Sequence, residues 1–424
     1  MHVKTPLHSA LTAAGLSALL LVSQGSQAED AIKQMLANVD SSTKTEQKAA
    51  MNVTVKGAQN TAKTSELSAL VEPTLQPVAL ANTDNTKAAT LEATADTETS
   101  PVTTAPYQAT TLKASAGNGR FLPKITYTTD NLSAVAKQVN AADWSKSKSL
   151  DRATGTKLQA LLNWHQSGVG AVDGYWGKNT QKAMQAFQKA HSLTVTEQMN
   201  DETWKALTKD SKLAAQPVLV NYKLTDNDVF IKTATTPATA EEKSKLDRMY
   251  YQSVIEGLAE KFHMSQGYLK ALNPNSSFKS GDIITVYNPG NPINKPVTRV
   301  VADKTTQTLY AYDDNNNLIA SYPTTVGSIA TPSPSGTHTV SVKVHEPNYT
   351  FTKDDGSKLI IPPGPNNPVG LVWIGLSKPS YGIHGSPDPE RISRQASAGC
   401  VRLTNWDALA LLGVIQNGAT VEFK

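Results

Sequence analysis

Apolar and polar positions are spread unevenly along this chain. Residues 10–22 form one short apolar run, residues 29–118 show no sustained period, and regular patterning begins only near Phe121. An apolar segment then spans residues 158–162, and helical spacing appears over 179–191, where Ala183, Phe187 and Ala190 share a face and Asn179 is placed to cap. Between them, Asp173-Gly174-Tyr175-Trp176-Gly177 predicts a tight loop whose glycines permit positive φ. A further stripe at Val254, Leu258 and Phe262 predicts a helix, a second helix stops at Asn273-Pro274, and residues 281–286 form a returning strand. From residue 296 the texture turns to β. Strands are expected over 297–301, 308–312, 318–325 and 337–344, with a turn at 313–317 and one late helix over 406–415. The predicted fold class is multidomain α+β. It comprises a small all-α domain with an N-terminal extension over 119–212, a small α+β module over 246–290, and a mostly antiparallel β sandwich or partly closed barrel over 297–424.

Composition agrees with this division. A chain of 424 residues allows two to four domains, and 39% hydrophobic content is low for one that is globular throughout. All six Trp lie between Trp144 and Trp406, while residues 29–118 are mainly Thr, Ala, Ser, Lys and Asn. That stretch buries too little apolar area to offset chain entropy, so it is expected to be a disordered linker. A formal charge of +4, dispersed along the chain, excludes a nucleic-acid partner, which needs clustered basic residues.

The first eight residues carry Lys4 and no acid, and the apolar run is too short to span a bilayer. Ser26-Gln27-Ala28 then offers small residues for cleavage, so residues 1–28 are expected to be a secretory signal peptide, with a retained anchor as the alternative. The leader has no Cys, which excludes a lipoprotein signal. The mature chain is therefore expected to be exported. One Cys in the whole chain rules out an intramolecular disulfide and a Cys-rich metal site. With the His scattered, neither a metal nor a cofactor is expected. A lone thiol in an oxidising compartment is a liability unless its reactivity is used.

That thiol, Cys400, stands in Ser397-Ala398-Gly399-Cys400-Val401-Arg402-Leu403. A useful sulfur nucleophile needs a base nearby and donors for the oxyanion formed on attack. Gly399 lets a carbonyl approach the backbone amides of Gly399 and Cys400. Three His lie in the same domain: His338 in an alternating strand, His345 before a proline turn, and His384 between Ile383 and Gly385. Spacing alone does not choose among them, and a lone Cys is also a common core residue.

Larger patterns carry two resemblances to wall-binding modules. Asp173-Gly-x-x-Gly, Thr180 and Phe187-Gln188 resemble the helical peptidoglycan-binding domain of wall hydrolases and transpeptidases. Leu272-Asn273-Pro274 and Gly281-x-x-Ile284 are similar to LysM, although the usual opening strand is poorly matched.

His384-Gly385-Ser386, the insert 387–396 and Ser397-Ala-Gly399-Cys400-Val-Arg402-Leu resemble the signature of the YkuD-type L,D-transpeptidase domain. Val326-Gly327, Thr331-Pro332 and Gly336-Thr337 match upstream. Many members carry His where this chain has Ala398. The resemblance implies Cys400 as nucleophile, His384 as base, and Gly385 or Ser386 as the backbone that orients the ring. Ser397, Arg402 and Tyr381 are substrate-binding candidates, with a structural role open for each. The implied partners are peptidoglycan stem peptides and glycan strands, with carbapenem-type inhibitors acylating the Cys. The implied reaction is thioester acyl transfer forming 3→3 cross-links with release of D-alanine. Alternatives are L,D-carboxypeptidase action, attachment or release of a lipoprotein, and a non-catalytic wall-binding protein. A sortase-like enzyme is disfavoured by the missing Thr-Leu-x-Thr-Cys strand.

Overall fold

The computed structural model describes residues 121–145, 150–329, 331–394, 397 and 399–424. The leader over 1–28 and the linker over 29–118 lie outside the described residues, as does Ala398. The described part begins with helices α1 (Ala134–Asn140), α2 (Arg152–Trp164), α3 (Lys178–Ala190), α4 (Asp201–Leu207) and α5 (Ser211–Ala214). Capping explains where most of them start. Asp151 accepts from the Thr154 amide at α2, and Asn200 accepts from that of Thr203 at α4. Helix α3 departs from expectation: Gly177 is its cap, and Asn179 lies in the first turn with Nδ2 donating to Ile392 O at 3.3 Å. Ala183 and Phe187 are buried as the stripe requires, whereas Ala190 is exposed. The same helix packs against the C-terminal domain, where Ala186 meets Val301 and Tyr310 and Lys182 Nζ donates to Gln307 O at 3.2 Å.

Several residues singled out in and after the Asp-Gly loop hold the fold together. Gln159 Oε1 accepts from the Asp173 and Gly174 amides at 3.1 and 2.8 Å, and its Nε2 reaches Thr180 Oγ1 at 3.1 Å. Gly174, at φ +80°, takes the left-handed conformation that this loop demands. Buried Gln188 ties Thr196 to Thr203 in the same manner.

A βααβ unit follows. Strand β1 (Leu219–Lys223) precedes the short helices α6 (Asp226–Val229) and α7 (Ala240–Ser244), then α8 (Val254–Lys261), α9 (Gln266–Leu272) and strand β2 (Ile283–Tyr287), so that βααβ here counts the two strands and the longer helices α8 and α9 only. Strands β1 and β2 pair antiparallel, Leu219 opposite Tyr287 and Lys223 opposite Ile283. The partner of the returning strand thus comes from upstream of the 246–290 span. Asn273 closes the unit, its Nδ2 donating to Thr285 O and its Oδ1 accepting from the Thr285 amide. Leu161, Phe187, Leu219, Phe262, Leu269 and Tyr287 belong to one continuous buried cluster. Neither the helical domain nor the βααβ unit encloses a core of its own, as expected for units this small.

The remaining strands are β3 (Val297–Asp303), β4 (Thr308–Tyr312), β5 (Leu318–Pro323), β6 (Gly336–His345), β7 (Tyr349–Thr352), β8 (Lys358–Ile361), β9 (Val372–Leu376), β10 (Gly382–His384), β11 (Val401–Arg402) and β12 (Ile415–Phe423). Helix α10 (Asn405–Val414) lies between the last two. Eight of them form one curled sheet, a half-barrel, in the order β11-β10-β9-β6-β12-β3-β4-β5, while β7 and β8 make a separate hairpin. Only β10–β11 and β12–β3 run parallel. A single sheet replaces the sandwich alternative, because α10 covers the face that a second sheet would otherwise cover. Leu411, Ile374, Ile383, Val401 and Val421 meet there. Among the described residues, no helix is long and apolar enough to cross a membrane.

Candidate active site

Strand register brings the two reactive residue types together. Strands β10 and β11 lie side by side, Ile383 opposite Val401 and His384 opposite Arg402. Ile383 and Val401 point into the core. Alternation therefore sends His384, Arg402 and Cys400 to the opposite face. Trp373 on β9, opposite His384, joins them: its ring stacks on the imidazole with centroids 5.8 Å apart, and it shares a buried cluster with Cys400 and Val369. Tyr349 of the β7–β8 hairpin packs against that cluster. Cys400 and His384 are each only 3% exposed. His338 and His345 are elsewhere: the first meets Ser335 O and the Phe423 ring, the second the Phe121 ring.

The imidazole has a fixed tautomer. Its Nδ1 donates to Gly385 O at 2.7 Å, leaving Nε2 as the basic nitrogen of a neutral ring. Ser386, the other orienting candidate, spends its hydroxyl on the Asp388 amide and carbonyl. The Cys400 thiol lies 3.7 Å from Ser380 O, a contact that suits a protonated sulfur, since a thiolate gains nothing from a carbonyl oxygen. Ser397 clasps the loop, its Oγ donating to Cys400 O at 2.6 Å and accepting the Gly399 amide at 3.2 Å. The Gly399 amide is therefore engaged in this state. Gly399 itself is required, at φ +116° with Tyr381 Cε1 only 2.9 Å from where a Cβ would stand. This places Tyr381 over the Cys loop. Arg402 lines a polar cavity of about 750 Å³ between α8 and the insert, together with Glu256, Asn366, Ser386 and Arg394. Arg402 Nε and Asn366 Oδ1 make no hydrogen bond among the described residues. No group of three or more potential metal ligands occurs among those residues.

A thiol, a ring with one basic nitrogen and a tight glycine loop form an arrangement suited to acyl transfer, and comparison with known proteins agrees. Residues 297–423 match the YkuD family model, described as the L,D-transpeptidase catalytic domain. The Bacillus subtilis (strain 168) protein named "Putative L,D-transpeptidase YqjB" is 30% identical over 138 residues, which cover 31% of this chain and 71% of that protein. The chain belongs to the L,D-transpeptidase family. Residues 156–207 match a second model, "Putative peptidoglycan binding domain". The Bacillus licheniformis protein named "Putative L,D-transpeptidase YkuD" is 29% identical over 170 residues, 39% of this chain and 91% of that protein. Among solved structures, L,D-transpeptidase 3 from Mycobacterium tuberculosis, in complex with a faropenem-derived adduct, is 14% identical at a TM-score of 0.26, covering 34% of this chain and 74% of that one. The catalytic domain of the E. faecium L,D-transpeptidase is 22% identical at a TM-score of 0.24, covering 30% and 96%.

Burial, reinforced by the Arg402 guanidinium and opposed by the Gly385 carbonyl, pushes the His384 imidazole down to about 3 from 6.5. The folded state therefore binds that proton more weakly than the unfolded chain. The associated stability is complete above pH 6.5 and is lost toward pH 3, at about 1.4 kcal/mol per pH unit. A His384→Gln variant escapes this loss. Its melting temperature is expected to gain on the parent's between pH 6.5 and 4, and a constant difference would contradict a buried neutral ring.

Sequence reasoning missed the Ser380 carbonyl at the thiol, as well as Asn405 and Glu260 behind the His384 strand. Nothing in the sequence marks them: Asn405 reads as the start of a helix and Glu260 as a polar residue beside an apolar stripe.

Proposed function

We propose that this protein is a peptidoglycan L,D-transpeptidase that forms 3→3 cross-links through a thioester on Cys400. The observation that carries the reading is the β10–β11 register, with Cys400 and His384 on one face and the ring fixed by Gly385 O. His384 Nε2 takes the thiol proton as Sγ attacks the carbonyl of the third stem residue. The tetrahedral intermediate collapses, the D-alanine nitrogen leaves with that proton, and a thioester remains. An amine from a neighbouring stem then attacks the thioester, gives up a proton through His384 and restores the thiol. The oxyanion is met by backbone amides of the Cys loop, the Gly399 amide exchanging its bond to Ser397 for the substrate. Arg402, which lines the polar cavity between α8 and the insert, offers its guanidinium to a stem carboxylate.

The chemistry needs no metal or cofactor. Any strained acyl donor that reaches the sulfur, a carbapenem included, acylates Cys400 by the same step. The βααβ unit is LysM-like in its paired strands and in helices α8 and α9, with the short α6 and α7 as additions, and with residues 156–207 it holds the enzyme on glycan strands. The leader directs export to the periplasm, and residues 29–118 act as the spacer.

Incubating the protein with purified disaccharide-tetrapeptide and resolving products by mass spectrometry tests the reading. Dimers lacking one D-alanine are expected. Tripeptide alone would shift the assignment to hydrolysis, and unchanged substrate would defeat both.

A further inference from the structure

His384 is held through Gly385 O, so whatever fixes the Gly385 peptide also fixes the base. Behind that peptide stands Asn405, 1% exposed, at the start of α10. Its Oδ1 accepts the Leu371 amide at 3.0 Å and lies so near Gly370 and Gly385 that a Cβ on either would overlap it. Its Nδ2 donates to Pro365 O at 3.2 Å and to both carboxyl oxygens of Glu260 at 3.1 Å. Glu260 belongs to α8 of the βααβ unit, is 6% exposed, and also meets the Tyr251 hydroxyl at 3.2 Å.

An amide side chain has two nearly isosteric orientations. Turned over, Asn405 would aim Nδ2 at the Leu371 amide, donor against donor, and Oδ1 at the Glu260 carboxyl. The Leu371 amide and the Pro365 carbonyl set that orientation, and the buried Glu260 carboxyl, accepting at the Nδ2 end, anchors the side chain that seats the Gly370–Leu371 and Gly385 backbones. We propose that Glu260 is a positioning residue for the acyl-transfer centre, acting through Asn405 to hold the Gly385 carbonyl that orients the His384 ring, so that the βααβ unit is a working part of the catalytic domain as well as a wall-binding module. This rests on the function proposed above. Burial raises the Glu260 carboxyl to about 8, with Glu256 adding to the rise and Asn405 and Tyr251 opposing it. Near neutrality it is mostly a neutral acid whose unprotonated oxygen accepts from Asn405, an acceptor that the amide oxygen of glutamine also supplies.

The test compares the full chain with Glu260→Gln, Glu260→Ala and the volume-keeping Glu260→Leu. Glu260→Gln is expected to stay within about twofold of the parent. The Ala and Leu variants are expected to lose on the order of 10- to 100-fold in kcat with KM nearly unchanged, the scale of a misplaced reacting group. In 15N spectra of labelled histidine, His384 is expected to show one Nδ1–H tautomer in the parent and Gln variant and a mixture in the other two. The spectra need no turnover, so if even the parent proves inactive they still test the positioning while the assay defeats the proposed function. Equal losses in Gln and Ala, a loss confined to KM, an unchanged tautomer in the Ala and Leu variants, or failure of both to fold would each overturn the proposal. The last would assign Glu260 to the core alone.

Discussion

Cys400→Ala is expected to abolish turnover of a disaccharide-tetrapeptide, with a fall in kcat on the order of 10⁶-fold, the scale seen when an acyl-transfer nucleophile is deleted. The chain has no second thiol to take over. The loss must come from chemistry, because the substitution is small. Cys400 sits in a satellite cluster with Trp373 and Val369, apart from the main β-domain core, so removing its sulfur costs little packing. Steady-state assays on protein whose melting curve matches the parent's check the point. Residual activity within a hundredfold of the parent would mean that the sulfur does not form the acyl bond.

His384→Gln carries the second large effect, expected on the order of 10⁴-fold or more in kcat. Glutamine fills much of the ring's volume beside Trp373 and keeps a donor for Gly385 O, but has no basic nitrogen. The thiol contacting Ser380 O then has no acceptor for its proton at the moment of attack. Without a base, the departing D-alanine nitrogen also lacks its proton source, so both halves of the reaction suffer. Glutamine in place of histidine leaves KM nearly untouched, since the ring binds no remote part of the substrate. A fall in activity explained by KM alone would contradict the assigned role. Read with the acid-stability experiment, the variant separates the ring's chemical task from its energetic burden, the same substitution that removes the base also removing a buried ring that resists protonation.

The parts of this molecule legible in sequence are those whose signal is local. Strand β4 falls at 308–312 as expected, and α10 starts one residue before the expected position. Cys400 and His384 were singled out by residue type and motif, and register then set them on one face. Other parts depend on partners distant in the chain. Strand β9 is buried at every position, so it has no alternation to read, and β10 and β11 are too short to show a period. The pairing of β1 with β2 closes the βααβ unit across a long intervening segment, which is why residues 246–290 looked like a module missing its first strand. Asn179 illustrates the reverse error: a good capping residue two positions past the actual cap, drawn to Ile392 by the docking of α3 on the C-terminal domain. Glu260 was invisible because a carboxyl on a helix reads as a solvated face until the packing of α10 encloses it.

The central claim is a covalent bond between Cys400 and the donor stem. Intact-protein mass spectrometry after rapid mixing with tetrapeptide donor and no acceptor, followed by peptide mapping, tests it most directly. The account predicts an added mass equal to the donor less D-alanine, mapped to the Cys400 peptide and absent from Cys400→Ala. Product release without any such adduct, or an adduct on another residue, would contradict it.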